Sequence, residues 1–275
     1  MMNHFRLQDY LEYIKEEKGL TDSTLESYNR DLMQFSKYLE DKQIDSIANV
    51  NKATIITYMM FLQKNGKSAA TIARSLASLR SYFQYLLNLG LINEDPTYNL
   101  RSPIKEKKLP DILSKKEVAL LLAQPSGDNF IEVRDKAMLK LLYATGIKVT
   151  ELIALNVDNL DTQLGCLLLN CNDDSDRLVP VDYDTLACLK DYRDNYRNKF
   201  VKDSREKALF VNYNGNRLTR QGFWKIIRQY SKKANIEKKI TPMTLRHSFA
   251  FHRINSRHDL NKAANILEYS SFQDI

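Results

Sequence analysis

Apolar positions recur along the first ninety residues at the spacing of helix faces. The segment LQDYLEYIKEEKGL is amphipathic and is expected to stop near Gly19. Ser23 and Glu26 have capping-box spacing, and Leu25, Tyr28, Leu32, Phe35 and Leu39 follow on one helical face. Asn51 can cap a third helix that runs to Asn65–Gly66. Ser68 can cap a fourth, with Ile72, Leu76, Leu79, Phe83 and Leu86 inward and Gly90 at its end. Residues 1–90 therefore predict a four-helix domain.

Residues 91–110 contain three prolines and a basic cluster, Arg101, Lys105, Lys107 and Lys108. Proline cannot sit inside a helix and pushes its predecessor extended, so this stretch reads as a linker. Residues 111–275 predict a second, mixed α/β unit. Ser114 and Glu117 repeat the capping-box spacing. Helices are expected over about 130–144, 149–156 and 183–199, and another after Thr219 containing Trp224, Ile226 and Ile227. CLLLNC and RLVPV read as strands of a hairpin with NDDSD at its tip, and Ala208–Asn212 as a third strand. A last helix starts after Pro242. The expected class is mainly α with a small β-sheet.

Composition narrows the partners. No apolar run approaches the roughly 20 residues of a membrane helix, and the N-terminus has no signal-peptide core. Three cysteines, Cys166, Cys171 and Cys188, lack metal-ligand spacing and read as reduced, mostly buried thiols of a cytoplasmic protein. The net charge is +7, and its distribution is uneven. Residues 51–90 carry five basic side chains and no acidic one; residues 201–260 sum to +10 and residues 151–190 to −6. Two basic blocks around an acidic middle suggest a polyanion held at two places, with ordinary solvated helix faces as the bland alternative. On the fourth helix, Arg74, Ser78, Ser81 and the neighbouring Arg80 are expected to face outward. Small polar residues beside arginines let a helix approach a phosphate backbone.

Two segments, LLYATGIKVTELIALNVDNLD (Leu141–Asp161) and ITPMTLRHSFAFH (Ile240–His252), resemble the two signature boxes of tyrosine recombinases of the Xer type. RLVPV and LTRQGFWKII fall in the same order, and the likeness covers essentially the whole chain. The resemblance implies a helical core-binding domain and a mixed α/β catalytic domain that form a C-shaped clamp on double-stranded DNA. It also implies transesterification by a tyrosine through a 3′-phosphotyrosyl link, with no metal or cofactor. Such a reaction needs preorganised cations on the phosphate and a general acid for the leaving oxygen.

The family positions transfer unevenly. The first family arginine is Lys148 here, which keeps the charge and loses the planar fork. The family lysine on the hairpin tip falls at about Asn172, and no lysine occurs from Val149 to Leu189. Asp173, Asp174 and Asp176 stand where a loop should enter a DNA groove, and each repels phosphate. The family histidine before LRH is Met243, which offers no useful proton. The second arginine is retained as Arg246, followed by His247. The next position, histidine or tryptophan in the family, is Tyr269, which can still donate a hydrogen bond. The family nucleophile lies farther along than Ile275, so it is expected to be absent.

Three readings follow. In the first, the chain binds DNA through a recombinase fold without cutting it, occupying a recombination-like site, modulating an active paralogue or regulating transcription. In the second, it is a working recombinase with a divergent site. In the third, it is a decayed gene product. The family clamp and the basic faces nominate Lys52, Lys67, Arg74 and Arg80 in the first domain and Arg177, Arg217, Arg220 and Arg246 in the second as DNA contacts.

Overall fold

The computed structural model describes residues 6–103, 111–169 and 176–254. The chain divides into two compact units, Met1–Lys108 and Leu109–Ile275, each around its own apolar core.

The first unit consists of α1 (Leu7–Glu16), α2 (Asp22–Asp41), a short 3-10 turn (Ile47–Asn49), α3 (Lys52–Lys64) and α4 (Ala69–Asn88). The expected helical faces pack inward: Leu32, Phe35 and Leu39 of α2 meet Leu76, Leu79 and Phe83 of α4 in one buried cluster. Aromatic rings fill it edge to face, with Tyr10 and Tyr82 centroids 5.2 Å apart. Two caps form as read. Asn51 Oδ1 accepts the Thr54 N–H at 3.0 Å, and Ser68 Oγ accepts that of Thr71 at 3.2 Å.

Two readings of this unit need correction. The cap of α2 is Thr21, not Ser23: the helix already begins at Asp22, whose carboxylate suits the positive N-terminal end. The supposed outward face of α4 is partly internal. Ser78 is buried and donates to Asp31 Oδ2 at 3.0 Å, while Arg74 donates to Asp31 Oδ1 at 2.9 Å. Arg80 donates to the Leu100 carbonyl. Burial raises the Asp31 pKa above the ordinary carboxylate range, against the opposing pull of Ser78 and Arg74.

The second unit begins with α5 (Lys115–Leu122), closed by the reciprocal Ser114–Glu117 capping box, and α6 (Phe130–Thr145), followed by α7 (Val149–Ala154). Strands β1 (Leu160–Asp161), β2 (Cys166–Leu169) and β3 (Arg177–Pro180) form an antiparallel meander in which Leu160 and Val179 both pair with Leu167. Leu167 and Leu169 point into the core, whereas Leu178 on the alternate face is exposed. Next come α8 (Tyr183–Asp191), a π-helical turn (Tyr192–Arg197), a short helical turn α9 (Asn198–Phe200), α10 (Arg220–Lys233) and α11 (Pro242–Ile254).

The third strand of this sheet is β1, not Ala208–Asn212. That segment makes only isolated bridges, Asn156 with Ala208 and Val211 with Arg217. Ala208, Leu209, Phe210 and Val211 are all fully buried, so the run plugs the core instead of presenting alternate faces. Cys166 and Cys188 are half-buried rather than buried: Cys166 lies on the face of β2 that alternates with the buried Leu167 and Leu169, and Cys188 lies on α8 beside the buried Leu189; Cys171 lies outside the described residues.

The chain is tied to α11 as it enters the second unit. The Leu113 N–H donates to the buried Ser248 Oγ at 2.9 Å, and Lys238 Nζ donates to the Ile112 carbonyl at 3.1 Å. Among the described residues no helix is long and apolar enough to cross a membrane.

Candidate functional site

One turn brings the two conspicuous segments together. At the end of α6 the chain reverses at Gly146, in the left-handed region at φ 64°, with its N–H on the Leu142 carbonyl at 2.9 Å. A Cβ at this position would lie 2.3 Å from Phe249 Cδ1. Glycine is therefore required twice, for the backbone angle and for the close seat of the turn on α11.

The residues after Gly146 inherit that placement. Ile147 is buried, and Lys148 caps α7 in extended conformation with its N–H on Glu151 Oε2 at 2.5 Å. The other Glu151 oxygen accepts from Arg177 at 3.2 Å, which ties the first turn of α7 to the first residue of β3. On α11, Thr241 and Thr244 exchange backbone-to-hydroxyl bonds, both 3.1 Å, and Pro242 takes the first helical position. Met243, Arg246 and His247 then fall at i, i+3 and i+4, on one face.

These elements line a cavity of about 440 Å³, walled by Lys148, Arg220, Trp224, Met243, Arg246 and His247, with Ile147, Val149, Thr150 and Pro242 around them. Three of its side chains are basic and none is a carboxylate. Arg246 is 6% exposed and Met243 56%. Burial, with the adjacent Arg246 second, holds the His247 pKa below the usual histidine range, so its imidazole is neutral at neutral pH. The arrangement suits a multiply oxygenated anion such as a phosphodiester. At the Met243 position it supplies no proton donor, no acceptor and no charge.

The structure thus brings Lys148, Arg220, Met243 and Arg246 to one cavity, and Arg177 reaches Lys148 through Glu151. Arg217 has a different task. Its guanidinium donates to the Ile153 and Leu155 carbonyls at 2.7 and 3.1 Å and to Asn156 Oδ1 at 2.5 Å, locking the loop after α7. In the first unit Lys52 and Lys67 are exposed, whereas Arg74 and Arg80 are engaged within the fold. Asn172, Asp173, Asp174 and Tyr269 lie outside the described residues; Asp176 is exposed beside β3.

Two contributors escaped the sequence reading. Trp224 lines the cavity from α10, and its signal is its place four residues after Arg220, off the Phe223, Ile226, Ile227 and Tyr230 core face. Glu151 orders Lys148, and its signal is the three-residue capping-box offset.

Comparison with known proteins agrees with this architecture. Residues 111–275 match the phage integrase family and residues 7–90 the phage integrase N-terminal SAM-like domain. The tyrosine recombinase XerD of Oceanobacillus iheyensis is 40% identical over 271 residues, 98% of this chain and 91% of that protein. XerD of Halalkalibacterium halodurans is 38% identical over 265 residues, 96% of this chain and 89% of that protein. Among solved structures, XerH recombinase bound to its difH substrate in a pre-cleavage complex aligns with TM-score 0.73 and 20% identity, covering 98% of this chain and 79% of that one. The Tn1549 transposon integrase in complex with circular intermediate DNA aligns with TM-score 0.74 and 18% identity, covering 99% and 93%. These two likenesses are of fold.

Proposed function

The chain belongs to the phage integrase family of tyrosine recombinases, and from that premise we propose that it binds duplex DNA and grips a backbone phosphate without cutting it. The observation that carries this reading is the cavity itself. Lys148, Arg220 and Arg246 surround a space fit for phosphate, while the wall position from which the family histidine acts is Met243. Cations stabilise a bound phosphodiester in the ground state; cleavage also requires protons to move to and from oxygen in the transition state. Lys148 supplies a point charge in place of a bidentate fork. The same protein could occupy a site shared with an active recombinase of the family and limit its access.

The second reading, an active recombinase with a divergent site, draws on the 40% identity to a XerD recombinase across nearly the whole chain. Nicked duplex substrates separate the two, because a nick lets the leaving strand escape and traps any covalent intermediate. The first reading expects salt-sensitive binding and no covalent protein–DNA band. A band that resists denaturant and disappears on protease digestion would establish cleavage and overturn it.

A further inference from the structure

A second concavity lies beside the first on the same unit. It has a volume of about 450 Å³ and is lined by Arg228, Lys232, Lys238 and Lys239 together with Trp224, Ser231 and two isoleucines. Trp224 also lines the cavity that holds Arg246, so the indole is a partition with a basic pocket on each side.

The register of α10 creates this surface. Arg220, Trp224, Arg228 and Lys232 follow one another at four-residue intervals, a single stripe about 18 Å long at 1.5 Å per residue. The core face, Phe223, Ile226, Ile227 and Tyr230, lies on another side of the helix and is buried. Arg220, Arg228, Lys232 and Lys239 are exposed, and α10 contains no acidic residue.

These four cations also differ in their pairing from Arg177, Arg193, Arg205 and Lys238 of the same unit. Arg177 is bridged to Glu151, Arg193 to Asp194, Arg205 to Asp203 and Lys238 to Glu117. Among the described residues, Arg220, Arg228, Lys232 and Lys239 make no ion pair and no side-chain hydrogen bond. A row of unneutralised cations flanking an aromatic partition is an electrostatic footprint for a linear polyanion, not for a compact one.

We infer that the concavity formed by Arg228, Lys232 and Lys239 is a second phosphodiester site, which holds the backbone of the bound duplex on the far side of Trp224 from the Arg246 cavity. This inference rests on the DNA-binding reading and extends it by a separate contact. It implies that a duplex engages the second unit at two backbone positions, one on each side of Trp224.

The test is a salt titration of duplex binding by fluorescence anisotropy with the full chain. The variant Arg228→Gln with Lys232→Gln is compared with a control, Lys190→Gln with Lys202→Gln, which removes the same charge from exposed positions off α10. All four side chains are exposed, and thermal melting verifies that folding is intact. The slope of log K against log salt should fall by about 1.8 in the α10 variant, at about 0.9 per lost phosphate contact, and stay unchanged in the control. An unchanged slope in the α10 variant, while the wild type binds, would overturn the second site and leave the DNA-binding reading standing. An equal fall in the control would also overturn it, since the effect would then be net charge. Absence of wild-type binding would remove both.

Discussion

Helices α4 and α10 both place cations on an amphipathic helix, yet they use them in opposite ways. On α4, Arg74 is bound to the buried Asp31 and Arg80 to the Leu100 carbonyl, so part of each guanidinium serves the fold. On α10 the Arg220, Arg228 and Lys232 row is open to solvent. The basic count is a property of the sequence, but the available charge is a property of the fold. A guanidinium that donates to internal carbonyls keeps its charge and loses donors for phosphate.

The sharpest way to break this comparison is to disturb the frame that makes the second unit's cations converge. Gly146→Ala imposes a left-handed angle on a residue with a Cβ and drives that Cβ into Phe249. Denaturant unfolding should show a loss of about 2–5 kcal/mol, and phosphate gripping should fail with it. A loss below about 1 kcal/mol would mean that the turn does not depend on its seat against α11.

Arg217 and Arg246 test the distinction between structural and available cations directly. Arg217→Ala strands the Ile153 carbonyl and leaves that of Leu155 with the Leu209 N–H alone, and should cost about 1–3 kcal/mol of stability, with the DNA salt slope unchanged. Arg246→Ala should weaken duplex binding and lower that slope by about one. If the two slopes move alike, the division drawn here is wrong.

The smallest effect is expected from pH. Burial and Arg246 hold the His247 pKa down, so the folded protein resists a proton that the unfolded chain accepts. Stability from this group is therefore present above the ordinary histidine pKa and is lost as pH falls through the lowered value. A phosphate in the cavity favours the protonated imidazole, so duplex affinity should rise modestly from pH about 7.5 to about 5.5. His247→Gln should flatten that rise in anisotropy measurements; an unaltered profile would place His247 outside the phosphate's reach.

Much of the architecture was legible in the residues themselves because it is local. Asn51, Ser68, Ser114 and Thr219 cap helices through partners no more than three residues away, and helical spacing identified the inward residues of α4. The convergence of Lys148, Met243 and Arg246 was readable through resemblance to a family, not through spacing. What stayed hidden depends on distant partners. Asp31 meets Arg74 and Ser78 across two helices, Arg217 meets carbonyls of a loop more than sixty residues earlier, and no periodicity signals either. The misread strand at Ala208–Asn212 has the same origin: an apolar run describes a buried plug as well as a strand.

The tie between Leu113 and Ser248 has a mechanical consequence. Within the second unit, Leu113 is held on the helix that carries Arg246, and Lys238 holds the Ile112 carbonyl. A displacement of Ile112 and Leu113 is therefore passed to the wall of the cavity that carries Met243, Arg246 and His247. α11 is thus both a wall of the cavity and the anchor of residues 112–113, so one thirteen-residue helix carries both loads.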